Sequence, residues 1–317
     1  MNYKNKELED RINTFSKYYK NKYGFKVFKL GLSTLIPCPL RAKGNQCNFC
    51  IEDTFTDTMT NNYKDINSQI DYLSEKIRDK VFKNYQNEAY IAYFQENTSS
   101  YGDIDYLHSL FKQADNHPKI LEIIISTRPD YINTQFLEIL NDIKKPYKIE
   151  VGIQTIHNKS LQFFNRNHSH EDNIRAIDLL KKYSINTGAH LIIGCPLENH
   201  PKHKYVLETI EWINNQDNIS DIKLHNLVVY KEAELANIIN KSDLLNLPHY
   251  LEILTEIIKN IRPDIVISRL FTSNLNRHNK MLNDFPGIKK HWLNQLKDKL
   301  NQSDIYQGQN YKSKSRT

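Results

Sequence analysis

The sequence predicts an α/β fold of parallel βαβ units, and three observations carry that prediction. Short apolar runs rich in β-branched residues alternate with longer stretches of helical periodicity. From the second run onward they recur at roughly the length of one βαβ unit. The residues that follow each run, where such folds place their function, are polar or reactive. Strands that alternate with helices are joined by crossovers, which makes the sheet parallel. Six consecutive units can form an open doubly wound sheet or a full or partial barrel, and periodicity alone does not choose between them.

In chain order, the polar segment 1–25 is an N-terminal extension, and "KVFKLGLSTLI" at 26–36 is the first strand. "EAYIAYFQ" (88–95), "KILEIIIST" (119–127), "YKIEVGIQTI" (147–156), "GAHLIIG" (188–194) and "DIKLHNLVVY" (221–230) are the next five. Amphipathic helices are expected at 64–84, 104–116, 133–143, 170–183 and 201–215, so the main domain covers 26–240. Beyond it, 241–317 is a helical extension, with helices at 245–261 and 288–302 and an extra strand at "DIVISRL" (264–270). On the sixth strand, Lys223 and His225 are read as pointing to alternate faces, so that one of the two faces the cavity.

At 317 residues the chain suits one barrel with appendages, and no linker rich in Pro, Gly or Ser divides it. Four cysteines are too few for a disulfide scaffold, and the N-terminus has no apolar signal-peptide region. A reducing, cytoplasmic setting is therefore expected. No membrane partner is expected either, because no apolar run approaches the ~18–20 residues of a spanning helix. The net charge of +6 is spread along the chain, which permits contact with RNA without demanding it.

Cys38, Cys47 and Cys50 crowd into "STLIPCPLRAKGNQCNFC" (33–50), directly after the first strand, and only Cys195 lies elsewhere. Two cysteines separated by two residues reach one metal centre from a single turn, and the longer loop brings in the third. Structural zinc wants four closed ligands, yet the nearest histidine in sequence is His108. A cubane iron-sulfur cluster with three cysteine ligands leaves one iron open for chemistry. Buried structural thiols are the plain alternative to both.

Taken together with "YYKNKYGFKVFKLGLSTLIPCP", "CNFC", "YFQENTSSY", "STRPDYI", "VGIQTIHNKSLQFFNRNH", "HLIIGCPLE" and "IKLHNLVVYK", the loop resembles the radical S-adenosylmethionine (SAM) superfamily. Within it, the chain resembles the YhcC-like subgroup, related to the elongator catalytic subunit and to oxygen-independent coproporphyrinogen oxidase. The resemblance covers most of the chain. It implies a partial (β/α)6 barrel of the TIM type, with Cys38, Cys47 and Cys50 binding a 4Fe-4S cluster whose open iron is chelated by SAM. By the same resemblance Phe49 and Ile192 flank the adenine, and Gln95 and Thr98 face the SAM amino group, with Glu96 and Asn97 beside them. Gln154 then contacts the ribose, and Arg166 the SAM carboxylate, a role that suits a planar guanidinium fork.

The resemblance further implies that reductive cleavage of SAM gives a 5'-deoxyadenosyl radical that takes hydrogen from an RNA, protein or metabolite substrate. Electrons would come from a small donor such as flavodoxin or ferredoxin. The chain departs from the family in its shorter Cys38–Cys47 loop. It also carries Ser126 where some relatives have a ribose-binding carboxylate, which leaves Arg128 as either a ligand contact or an ion-pair former. Cys195 reads as a small core residue. The rival from a different class is a non-catalytic, zinc-stabilised RNA-binding or scaffold protein that uses the same three cysteines plus a histidine.

Overall fold

The computed structural model describes residues 6–51, 62–81, 88–95, 97–272 and 285–312; Glu96 lies outside them. Seven strands form one parallel sheet in sequence order, β1 Phe28–Leu32, β2 Tyr90–Phe94, β3 Ile120–Thr127, β4 Tyr147–Gln154, β5 Thr187–Ile193, β6 Ile219–Asn226 and β7 Val266–Arg269. The sheet curls into a half-barrel. The segment at 264–270 is β7, paired in parallel with β6, so the sheet has one strand more than the six of the main series.

The first strand is shorter than its apolar run. Gln69 accepts from the Ser33 amide at 2.9 Å and donates to the Ser33 carbonyl at 3.0 Å, which takes both backbone groups out of the ladder. Leu35 then turns with φ +59°. The helix expected at 133–143 stops at Thr134–Glu138, where turns lead to Pro146. Helices Phe15–Tyr23 and Asn158–Phe163 went unpredicted, because each is too short and polar to show a clear periodicity.

The period of two along each strand gives the half-barrel two different faces. Leu30, Phe94, Ile125, Val151, Leu191 and Leu224 belong to the main apolar core, on the side covered by helices such as Ile66–Val81 and Ile104–Asn116. Each such buried side chain contributes about 1.5–3 kcal/mol. The other face is strongly polar and carries Lys29, Tyr93, Glu122, Lys148, Glu150, His190, Asp221 and Lys223. Lys223 and His225 share that inner face, since residues two apart on a strand point the same way; the expectation of alternate faces was wrong.

The helix Phe15–Tyr23 stops one end of the half-barrel. Thr14 caps it by accepting from the Lys17 amide at 3.1 Å, and Gly24 ends it in the left-handed conformation, φ +79°. It bridges the two edge strands. Thr14 pairs with Ile267 of β7, and the Lys29 ammonium of β1 lies 4.6 Å over the Phe15 ring. Its Tyr19 packs with Ile91, Tyr93 and Ile124, and the Tyr19 hydroxyl donates to Glu122 at 2.6 Å. Lys22 and Tyr23 reach the other Glu122 oxygen at 2.5 and 3.0 Å, so this buried carboxylate is fully engaged.

Candidate active site

At the opposite end, the C-terminal ends of the strands surround a cavity of about 230 Å³. Cys38, Cys47, Phe49, Cys50, Gln95, Thr98, Gln154, Arg166 and Ile192 all line it, although they come from five separate segments of the chain. Ser126 and Arg128 line it too. Cys195 does not; it is fully buried in a small apolar cluster with Phe164 and Leu227. His108 is also elsewhere, bonded to Asp142 at 2.9 Å on the surface.

The cysteine loop is held by its backbone. Cys38 precedes a short helix, Pro39–Ala42, and the Cys50 amide donates to the Cys47 carbonyl at 3.0 Å. Asn48 then ties the loop down in three ways. Its amide donates to the Phe164 carbonyl at 2.9 Å, its side chain to the Phe163 carbonyl at 2.8 Å, and its carbonyl accepts from the Leu235 amide at 2.8 Å. Phe49 packs edge-on against Phe164 at 5.5 Å, so it anchors the loop while facing the cavity.

All three thiols are free, and guanidinium groups attend two of them. Arg41 donates to the Cys50 sulfur at 3.3 Å, and Arg166 and Arg128 reach the Cys47 sulfur at 3.4 and 3.9 Å. Burial pushes the Cys50 thiol up to about 11 despite Arg41 beside it. A metal centre reverses that preference by displacing the proton, and the surrounding cations favour the resulting thiolates. Arg128 is an ion-pair former: it grips Asp130 with two bonds of 3.0 and 2.9 Å and donates to the Arg166 carbonyl at 2.5 Å, fixing Arg166.

The cavity wall holds buried polar atoms with no partner among the described residues: Thr98 Oγ1, Arg166 Nε, His225 Nε2 and Tyr230 Oη. Such atoms cost free energy unless something polar meets them, so the wall is built for a polar ligand. Two strand glycines make the room. A Cβ on Gly31 would lie 2.3 Å from Gln95 Nε2, and one on Gly152 would lie 2.9 Å from Gln154 Nε2 and 3.1 Å from Arg166 Nη2. Gln154 itself ends β4 with φ +65°, a strained conformation of the kind that functional sites retain. The sequence held a signal for both glycines, since glycine inside a strand often marks close approach of another group. His190, Tyr230 and Arg269 carried no comparable signal.

The donor set, the unpartnered wall and the half-barrel together define a class of enzyme. The profile of the Radical SAM superfamily matches residues 38–213, and the chain belongs to that superfamily; it is a radical SAM enzyme. It is 28% identical over 276 residues to Protein YhcC of Escherichia coli K12, spanning 84% of this chain and 85% of that one. The half-barrel superposes on Elp3 of the archaeon Methanocaldococcus infernus with a TM-score of 0.65 at 14% identity, over 89% of this chain and 65% of that one. On coproporphyrinogen III oxidase (HemN) from Escherichia coli, itself a radical SAM enzyme, the TM-score is 0.50 at 17% identity, over 79% and 57% of the two chains. Among the described residues no helix is long and apolar enough to cross a membrane.

Proposed function

We propose that Cys38, Cys47 and Cys50 hold a 4Fe-4S cluster and that SAM binds its open iron. The observation that carries this reading is that the three cysteines and all six expected SAM contacts line one cavity. When bound, the pair supplies a 5'-deoxyadenosyl radical that abstracts hydrogen from substrate.

The protein's own residues then do the binding. Arg41, Arg128 and Arg166 surround the thiolates with positive charge, which favours an anionic cluster. Thr98, Gln95 and Gln154 present hydrogen-bonding groups for the amino and ribose ends of SAM, and the unpartnered Arg166 Nε suits its carboxylate. Phe49 and Ile192 offer apolar surface to the adenine.

A small donor such as flavodoxin or ferredoxin supplies the electron, and the substrate is an RNA, a protein side chain or a metabolite. Anaerobic reconstitution with iron and sulfide tests the reading. Dithionite reduction should give a cubane electron paramagnetic resonance signal that shifts on adding SAM, together with release of 5'-deoxyadenosine. Cys50→Ala should lose signal and product together; retention of both sinks the ligand assignment, and uptake of one tight zinc with no iron sinks the reading.

A further inference from the structure

The inner face of the half-barrel carries more cations than its carboxylates can satisfy. Below the cavity, Glu150 is fully buried and bonds His190 at 2.8 Å, Lys29 at 3.4 Å and Lys223. Asp221 bonds Lys148 at 2.9 Å and Ser268. Burial opposes ionisation of Glu150, but Lys223 and Lys29 outweigh it and hold the carboxyl well below the usual range. Both carboxylates are thus taken by lysines. Asp221 keeps one oxygen without a partner, but that oxygen lies beside Gly188, and Asp221 does not line the cavity.

Arg269, at the end of β7, is left over. Its side chain lines the cavity, half-buried, and has no hydrogen bond or ion pair among the described residues. Its charge disfavours protonation of His225, Lys223 and His190, which places it close to all three. On the adjacent strand, His225 Nε2 is buried without a partner and lines the same wall. A half-buried guanidinium with no partner costs stability unless an anion arrives, and its fork with the unpartnered His225 Nε2 beside it matches a planar carboxylate. The site lies against the charged layer in a space of about 230 Å³.

We propose that Arg269 and His225 form a carboxylate-binding subsite that seats an acid group of the substrate against the β6–β7 wall. This rests on the reading above only in taking that wall as the substrate's side. The SAM carboxylate is assigned to Arg166, on the wall that holds the cysteine loop.

Thermal unfolding tests the subsite on the reconstituted protein, with sodium acetate against sodium chloride at equal ionic strength. Acetate at ten times its dissociation constant should raise the midpoint by about 2 °C in wild type. Arg269→Met should lose that gain and melt higher than wild type in chloride, because it removes an uncompensated cation. Arg269→Lys should keep part of the gain. Equal midpoints in acetate and chloride for wild type overturn the subsite, as does a gain that survives Arg269→Met. A larger gain from inorganic phosphate overturns its assignment to a carboxylate. Loss of the acetate gain on adding SAM overturns it as a substrate site, because SAM's own carboxylate would then be the occupant. None of these readouts depends on turnover, so a protein that never cleaves SAM defeats the proposed function and leaves the subsite to be judged on its own.

Discussion

At the scale of single residues, the site depends as much on atoms that are missing as on those present. Gly152 leaves room for Gln154 and Arg166, and an added methyl would press on both. Gly152→Ala should therefore weaken SAM binding about 10-fold, or about 1.4 kcal/mol. Because those neighbours are the far ends of flexible side chains, the unfolding midpoint should barely move; equilibrium dialysis and a thermal melt on the same sample check the two halves. Gly31→Ala should act likewise through Gln95. That the nine candidate residues would gather at one cavity was legible from the ordered blocks that carry the family resemblance, most of them near the C-terminal ends of strands. Arg269 and His190 were not, because a charged residue within a strand looks like any solvent-facing position until the sheet curls.

At the scale of elements, the six strands of the main series were legible because each is an apolar run long enough to be buried on one face. The helix Phe15–Tyr23 was not. It is nine residues with three lysines, and its structure comes from what it plugs. Its hold is the engaged Glu122, so Tyr19→Phe should cost about 1–2 kcal/mol by removing one donor from a buried carboxylate. Urea denaturation reads that loss. Glu122→Gln should cost more, since Lys22 and Tyr23 lose their charged acceptor as well. The β1 end was misread for a related reason: Gln69 withdraws Ser33 from the ladder, and that side chain comes from a helix more than thirty residues away.

At the scale of the whole molecule, buried histidines set the response to acid. Burial, and then Arg166 and Arg128, push His168 down to about 2. Burial, and then Lys223, push His190 down to about 4, and burial with Arg269 holds His225 well below the ordinary imidazole range. All three folded values lie below the unfolded value of about 6.5, so on acidification the unfolded chain takes protons that the folded one refuses. Their contribution is complete above about pH 6.5 and is lost as pH falls, for each group down to its own folded value. Stability should decline below pH 6.5 by up to about 1.4 kcal/mol per pH unit for each histidine. His168→Asn should remove one such share from the slope in denaturant titrations between pH 6.5 and 4.

The two ends of the chain meet beneath the barrel. Arg11 bonds Asn301 at 2.9 Å and Asp304 at 2.5 Å, the Asn13 amide donates to Gln307 at 2.8 Å, and Asn301 in turn donates to the Lys6 carbonyl at 2.8 Å. These partners are about 290 residues apart, and at roughly 5–20 residues per second the earlier of them waits about 15–60 s on the ribosome for the later to be made. A nascent chain can lay strand against strand, and dock the plug helix on Glu122, in the order of synthesis, yet the segment before that helix stays untied until the C-terminal residues emerge. A chain cut short before Asn301 would accordingly keep its cysteine loop and leave the segment around Arg11 untied, a ready substrate for quality control.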